Sequence, residues 1–309
     1  MHEPVGLQSR RTGADKVGMT KPRCVLPGSI YLLTRRCSER RFFLLPEPEV
    51  TWIFEYLLGM LAKQYGIPIH AYVVMSNHYH LVVTDTEGCL PDFQRDLNSL
   101  LARAINRHWR RSEAFWNRES YNGVKLLEDQ DVVSEMAYTL TNPVKARLVD
   151  KASEWEGATS ARMTFGQTRV VSRPNEFFRD SMPEEVELVL TRPAGFEGLS
   201  DAEVLELVRT DVARREAEHR AEGKAATMRR VRKQNWWECP ESCDPRWGMK
   251  PTVAGRNKWA RIEALRGSKE WLTAYYQALE RFLGGDRKVE FPPGTWHMCA
   301  RLQCPVATA

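Results

Sequence analysis

Two histidines one residue apart, His78 and His80, are the side chains of this sequence best placed to do chemistry. They lie in Ser76-Asn77-His78-Tyr79-His80, between Ala71-Tyr-Val-Val-Met75 and Leu81-Val-Val83. Side chains at i and i+2 point the same way only in an extended segment, because strand residues alternate faces. The β-branched and aromatic flanks are those of a buried strand. Two imidazoles leaving one sheet face together make half a site for a divalent cation. Alone, an H-x-H pair more often has a plainer role, with both rings satisfied by hydrogen bonds.

A third ligand and a reacting group must therefore come from elsewhere. Downstream, Ala137-Tyr138-Thr-Leu-Thr-Asn142-Pro143-Val-Lys145-Ala146 reads as helix, and Tyr138 and Asn142, four apart, share one face of it. Asn142 offers a neutral oxygen to a metal, and Tyr138 a phenolic oxygen beside it. Taken singly, Tyr138 is equally an amphipathic anchor between helix and sheet, and Asn142-Pro143 a helix end. Tyr121 and Tyr79 also carry phenols. The order of preference as nucleophile is Tyr138, Tyr121, Tyr79, since Tyr79 should face away from the histidines on either side of it.

The elements that would hold these groups follow from periodicity. Ser29 to Thr34 reads as a first strand and Val50 to Tyr65 as a helix with Ile53, Tyr56, Leu57, Met60 and Leu61 at helical spacing. Ile67 to Met75 and His78 to Thr84 read as two strands joined by a tight polar turn at Ser76-Asn77. An amphipathic helix is expected from about Leu90 to Arg110, a fourth strand near Val124 to Leu127, and a helix from Asp129 to Leu148 interrupted at Pro143. The first six elements, β-α-β-β-α-β, predict an α+β fold: a ferredoxin-like, four-stranded antiparallel sheet with helices on one face and the first and third strands central.

The remainder divides by composition. Residues 1–21 read as a loose tail without the apolar stretch of a secretory signal. Residues 22–165 carry the elements above. Residues 166–309 read as an accessory, mostly helical region, with Pro183 to Leu190, Ser200 to Glu222 and Trp271 to Phe282 expected as helices. No run approaches the roughly 20 apolar residues of a membrane span. Seven scattered cysteines point to a reducing cytoplasm rather than a disulfide framework. Cys239, Cys243, His297, Cys299 and Cys304 offer zinc-type ligands, at irregular intervals. A formal charge of +5 permits a polyanionic partner without requiring one. Arg35, Arg36, Arg103, Lys125 and Lys145 are candidate phosphate contacts, as is the basic run Lys224 to Lys233 ahead of Trp236-Trp237.

Taken together, the motifs resemble the HUH single-tyrosine transposases, and within them the REP-associated tyrosine transposases. The segments that carry the resemblance are Gly28-Ser-Ile-Tyr-Leu-Leu-Thr-Arg35, Met75-Ser-Asn-His-Tyr-His-Leu-Val-Val83, Tyr138-Thr-Leu-Thr-Asn-Pro-Val-Lys-Ala146 and, weakly, Trp155 to Ser160. The resemblance covers roughly Lys21 to Arg162. Ser76 stands where the family often has proline, and Tyr79 where it has an aliphatic residue. The resemblance implies His78, His80 and Asn142 as ligands of Mg²⁺ or Mn²⁺ and Tyr138 as nucleophile. It further implies nicking and strand transfer on single-stranded or hairpin DNA through a 5′-phosphotyrosine, in a bacterial-type cytoplasm at the nucleoid. Whether a homodimer forms, with Tyr138 serving a partner's metal pair, stays open. Two alternatives remain: a catalytically silent single-strand-binding module, and a nickase of the replication or mobilisation type.

Overall fold

The computed structural model describes residues 22–118, 122–223, 225–240 and 252–307. The tail 1–21, Tyr121, Lys224 and Cys243 lie outside the described residues. The chain divides into two compact units, one built from residues 26–267 and the other from the N-terminal segment to 25 with 268–309.

The first unit is α+β. Strands β1 (Ser29–Arg36), β2 (Ile69–Met75), β3 (His78–Asp85) and β4 (Asn122–Leu126) lie in the order β2-β3-β1-β4, each antiparallel to its neighbours. Between them run α1 (Pro48–Tyr65) and α2 (Leu90–His108), and after β4 comes α3 (Asp129–Lys145). A fifth strand, β7 (Val253–Ala254), joins the outer edge of β4 in parallel. The sheet is therefore mixed, not purely antiparallel as the order of the first elements suggested. A two-residue strand so distant in sequence leaves no periodicity to read.

The two faces of the sheet are covered differently. Tyr79 packs on Phe54 of α1 with ring centroids 5.7 Å apart, and its hydroxyl donates to Asn98 Oδ1 of α2 at 2.9 Å. Tyr72 on β2 likewise reaches Glu55 of α1 at 2.9 Å. The opposite face, defined by His80 and its neighbour Val73 on β2, lies under α3. The free edge of β2 is closed by residues 155–160. Val74 N–H donates to Ala158 O at 2.8 Å, Ser160 N–H to Tyr72 O at 3.0 Å, and Trp155 Nε1–H to Val74 O at 2.9 Å. A covered edge has no exposed row of donors and acceptors with which to recruit a second chain.

Pro183 to Leu190, expected as helix, is instead strand β6 (Glu185–Val189), paired antiparallel to β5 (Thr168–Ser172). Val186, Leu188 and Leu190 are buried while Glu185, Glu187 and Val189 are exposed. Glu and Leu favour helix locally, but period-two burial against α1 overrides that preference. Gly59 makes the contact close: a Cβ there would sit 3.1 Å from Glu187 O. The hairpin is fastened by Tyr56 Oη donating to Pro183 O at 2.6 Å and Trp52 Nε1 to Ser172 O at 2.7 Å.

Helix α4 (Asp201–Ala221), expected from its charge pattern, packs along α3, where Arg215 donates to Ser134 Oγ at 2.9 Å. A short α5 (Met228–Val231) follows, then α6 (Lys258–Leu283), within which the boundary between the units falls. The second unit adds α7 (Trp296–Leu302), with Tyr275, Phe291, Met298 and Cys304 in its core. Among the described residues, no helix is long and apolar enough to cross a membrane.

Candidate active site

Register decides what surrounds the histidine pair. β1 pairs with β3 so that Thr34 lies opposite His80 and Arg36 opposite His78. Directly opposed residues share a sheet face. Thr34 Oγ1 lies 2.9 Å from His80 Nδ1. At the turn, His78 Nδ1 lies 2.6 Å from Asn77 Oδ1, and Asn77 Nδ2 donates to Arg40 O at 3.0 Å. Since the Asn77 nitrogen is spent on that carbonyl, its oxygen must accept, so His78 carries its proton on Nδ1. The lone pair is then on Nε2, the nitrogen available to a cation. The two rings meet edge to face, 4.9 Å apart at 81°.

Both imidazoles are held neutral. Burial, then the charge of Arg36, pushes His78 down to about 3. Burial, then His78, Arg36 and Lys145, holds His80 well below the usual imidazole range. A neutral ring is the form that ligates a metal.

Tyr138 reaches this pair from α3. Its ring lies 5.5 Å from that of His80, at 82°. The helix does not break at Pro143. Proline lacks the N–H that would serve Thr139 O, and the Asn142 side chain covers part of the deficit. Asn142 Nδ2 donates to Tyr138 O at 2.8 Å and lies 3.5 Å from Thr139 O. These two carbonyls hold the amide nitrogen against the helix and leave Oδ1 as the end available to a ligand. Asn142 is buried, and Val144 two residues further packs with Val73 and Met75 of β2. Lys145 Nζ stands 5.0 Å from the Tyr138 ring centroid, a cation over the aromatic face.

The candidate phosphate contacts divide between the two faces. Arg36 and Lys145 act electrostatically on the histidines. Arg35 lies opposite Tyr79 on the other face, with its guanidinium 5.6 Å from the Trp116 ring centroid. Lys125 pairs with Tyr31 on that same far face, and Arg103 is exposed on α2, which covers it. Tyr79 is fully buried there too. Thr34 and Asn77 orient the two imidazoles, a role that no motif in the sequence assigns to them. Thr34 had a signal in its strand parity, but its partner depended on register.

By donor chemistry alone, imidazole nitrogens of His78 and His80 and the amide oxygen of Asn142 are neutral ligands of a kind that suits a divalent cation. No trio of His, Cys, Asp or Glu side chains gathers into a metal cluster among the described residues, Cys239, His297, Cys299 and Cys304 included.

Neither a scan of family models nor a search of curated proteins returned a match. Among solved structures, the chain is distantly similar to the REP-associated tyrosine transposase bound to a REP hairpin. The identity is 15%, the match covers 59% of this chain and 99% of that one, and the TM-score is 0.40. It is also similar to a putative transposase from Deinococcus radiodurans R1, at 24% identity over 39% of this chain and 95% of that one, with a TM-score of 0.29.

Proposed function

We propose that this protein is a metal-dependent DNA nicking and strand-transfer enzyme that works through a 5′-phosphotyrosine on single-stranded or hairpin DNA. In this reading the split βαβ sheet of residues 22–165 is the catalytic domain and residues 166–309 an accessory region. The observation that carries the reading is the convergence of the neutral His78–His80 pair with Tyr138, 5.5 Å from His80 across the β3–α3 interface. The motif resemblance of the Ser76 to His80 and Tyr138 to Ala146 segments supplies the chemistry.

When bound, Mg²⁺ or Mn²⁺ supplies Lewis-acid polarisation of the scissile phosphate. His78, His80 and Asn142 would hold it. Tyr138 Oη gives up its proton and attacks phosphorus, a Tyr–O–P bond forms, the P–O3′ bond breaks, and the 3′ oxygen takes up a proton and leaves as a hydroxyl, so no net proton is gained or lost. Lys145 places positive charge beside the phenol as it reacts, and Arg36 adds charge on the phosphate side. The covalent linkage conserves the energy of the broken bond, so a later 3′-OH can reverse the step and join strands.

The test is an SDS-resistant adduct between the full chain and labelled hairpin DNA with single-stranded flanks, in Mn²⁺ or Mg²⁺. The adduct is expected to disappear in Tyr138→Phe, His78→Ala and His80→Ala. An undiminished adduct in Tyr138→Phe would remove the nucleophile assignment, and DNA binding without any adduct would favour the silent binding module.

A further inference from the structure

Beside the histidine turn, the first unit presents two adjacent tryptophans with opposite fates. Trp236 is anchored: its ring stacks on Trp109 at 6.1 Å and 29° and lies 6.1 Å from Phe43, and the Arg111 guanidinium is 5.5 Å from its centroid. Trp237 stands edge-on to Trp236, at 5.5 Å and 88°, and is 52% exposed. Perpendicular to an anchored ring, it leaves about half of its surface open to solvent.

The backbone around Trp237 is tied to the site. Arg41 Nη1 donates to Trp237 O, and Phe42 N–H donates to Glu238 O at 3.0 Å. The preceding residue, Arg40, accepts from Asn77 Nδ2, and Asn77 in turn fixes His78. Leu44 N–H donates to Ser76 O and Cys37 N–H to Asn77 O, both at 2.8 Å. Glu39 and Arg40 hold this bend at φ of 51° and 57°, a conformation that non-glycine residues adopt rarely. Glu39 neutralises part of Arg41, at 2.8 Å. Arg229, Arg230 and Lys233 precede Trp236 in the sequence, while Arg232 is paired with Glu156 at 2.5 Å.

We propose that Trp237 is a stacking platform for one unpaired nucleobase of the single-stranded DNA flanking the scissile phosphate. The proposal rests on the nicking function above and names a specificity element of its substrate. Three features point to this ligand: an exposed indole held against an anchored one, the Arg41 guanidinium bonded to the Trp237 backbone, and a hydrogen-bonded path of a few residues to His78. A duplex offers no unstacked base to such a surface, whereas a single strand offers one at every nucleotide. Because stacking is sequence-tolerant, the platform would position the strand without reading its sequence.

The experiment uses the full chain carrying Tyr138→Phe, so that binding is read without covalent capture. Affinity for a fluorescein-labelled hairpin oligonucleotide with single-stranded flanks is followed by anisotropy, each flank nucleotide being made abasic in turn. Trp237→Ala is expected to weaken binding about tenfold, and Trp237→Phe to retain most of it. One abasic position should weaken the Trp237-containing protein to a similar extent and have no effect in Trp237→Ala, the coupling expected of direct contact. Unchanged affinity in Trp237→Ala would overturn the proposal. So would an equal loss in Trp259→Ala, a tryptophan 75% exposed on α6. The adduct assay reads the nicking function separately. An adduct without an abasic penalty keeps nicking and discards the platform, whereas a penalty without an adduct keeps the platform on a binding module.

Discussion

The two faces of one strand, β3, serve opposite ends. On one side Tyr79, Leu81 and Val83 are fully buried against α1 and α2, and the Tyr79 hydroxyl finds a partner in Asn98. On the other, His78 and His80 meet a polar shell of Thr34, Asn77, Arg36, Tyr138 and Lys145. Phenols occur on both faces, yet among the described residues only Tyr138 lies beside both a cation and a neutral imidazole of the pair. The contrast teaches that a phenol's role here follows from the face it occupies: Tyr79 is one residue from each histidine in sequence and separated from them by the sheet.

Substitutions on the two faces should therefore separate activity from stability. Tyr138→Phe is expected to abolish the phosphotyrosine adduct while leaving the thermal transition near that of the parent, since only one oxygen is lost from a half-buried ring. Tyr79→Ala should do the reverse, costing about 3–5 kcal/mol in chemical denaturation because it empties a packed aromatic site. The fraction still folded should form adduct at the parental rate. Loss of adduct in folded Tyr79→Ala would break the division between faces.

His70 offers a sharper test of the histidine side. Its Nδ1 faces Thr191 O at 2.8 Å and so donates, which leaves Nε2 to accept from Thr84 Oγ1 at 2.7 Å. Burial pushes this imidazole down to about 4, partly offset by the bond to Thr191. The unfolded chain, titrating near 6.5, thus binds the proton that the folded chain refuses. Stability must fall as pH drops from about 6.5 toward 4, and His70 alone should account for about 2–3 kcal/mol between pH 7 and pH 4.5. Denaturation of His70→Asn at the two pH values should show a correspondingly smaller difference. An undiminished pH dependence would sink the assignment.

The smallest expected effect concerns orientation. Thr34→Val keeps the shape of the side chain but takes the hydroxyl from His80 Nδ1. Mn²⁺ affinity by calorimetry is expected to fall about 10–100-fold, as for other residues that steer a metal ligand. The fold should persist, because Val is well suited to a strand. Affinity equal to the parent would mean that packing alone fixes the ring.

Local chemistry made much of this legible before any coordinates. Alternation put His78 and His80 on one face and Tyr79 on the other, and the four-residue spacing put Tyr138 and Asn142 on one helix stripe. The strands and helices through α3 follow from their periodicity, with ends displaced by a residue or a few. Strand β6 was not legible, because its run of Glu, Val and Leu satisfies helix and strand patterns alike until a partner surface chooses between them. Nor was β7, which is too short to carry a pattern.

What the sequence by itself determined was therefore the set of candidate groups and the face each one takes, since both depend on side-chain type and backbone period. The tertiary structure decided the rest. It set Thr34 opposite His80 through register, laid α3 across the histidine face so that Tyr138 meets His80, and sent Arg35 and Lys125 to the far side. It also carried Trp237, far along the chain, to the turn that holds His78. Contacts between distant segments depend on how whole elements pack, and no short-range spacing encodes that.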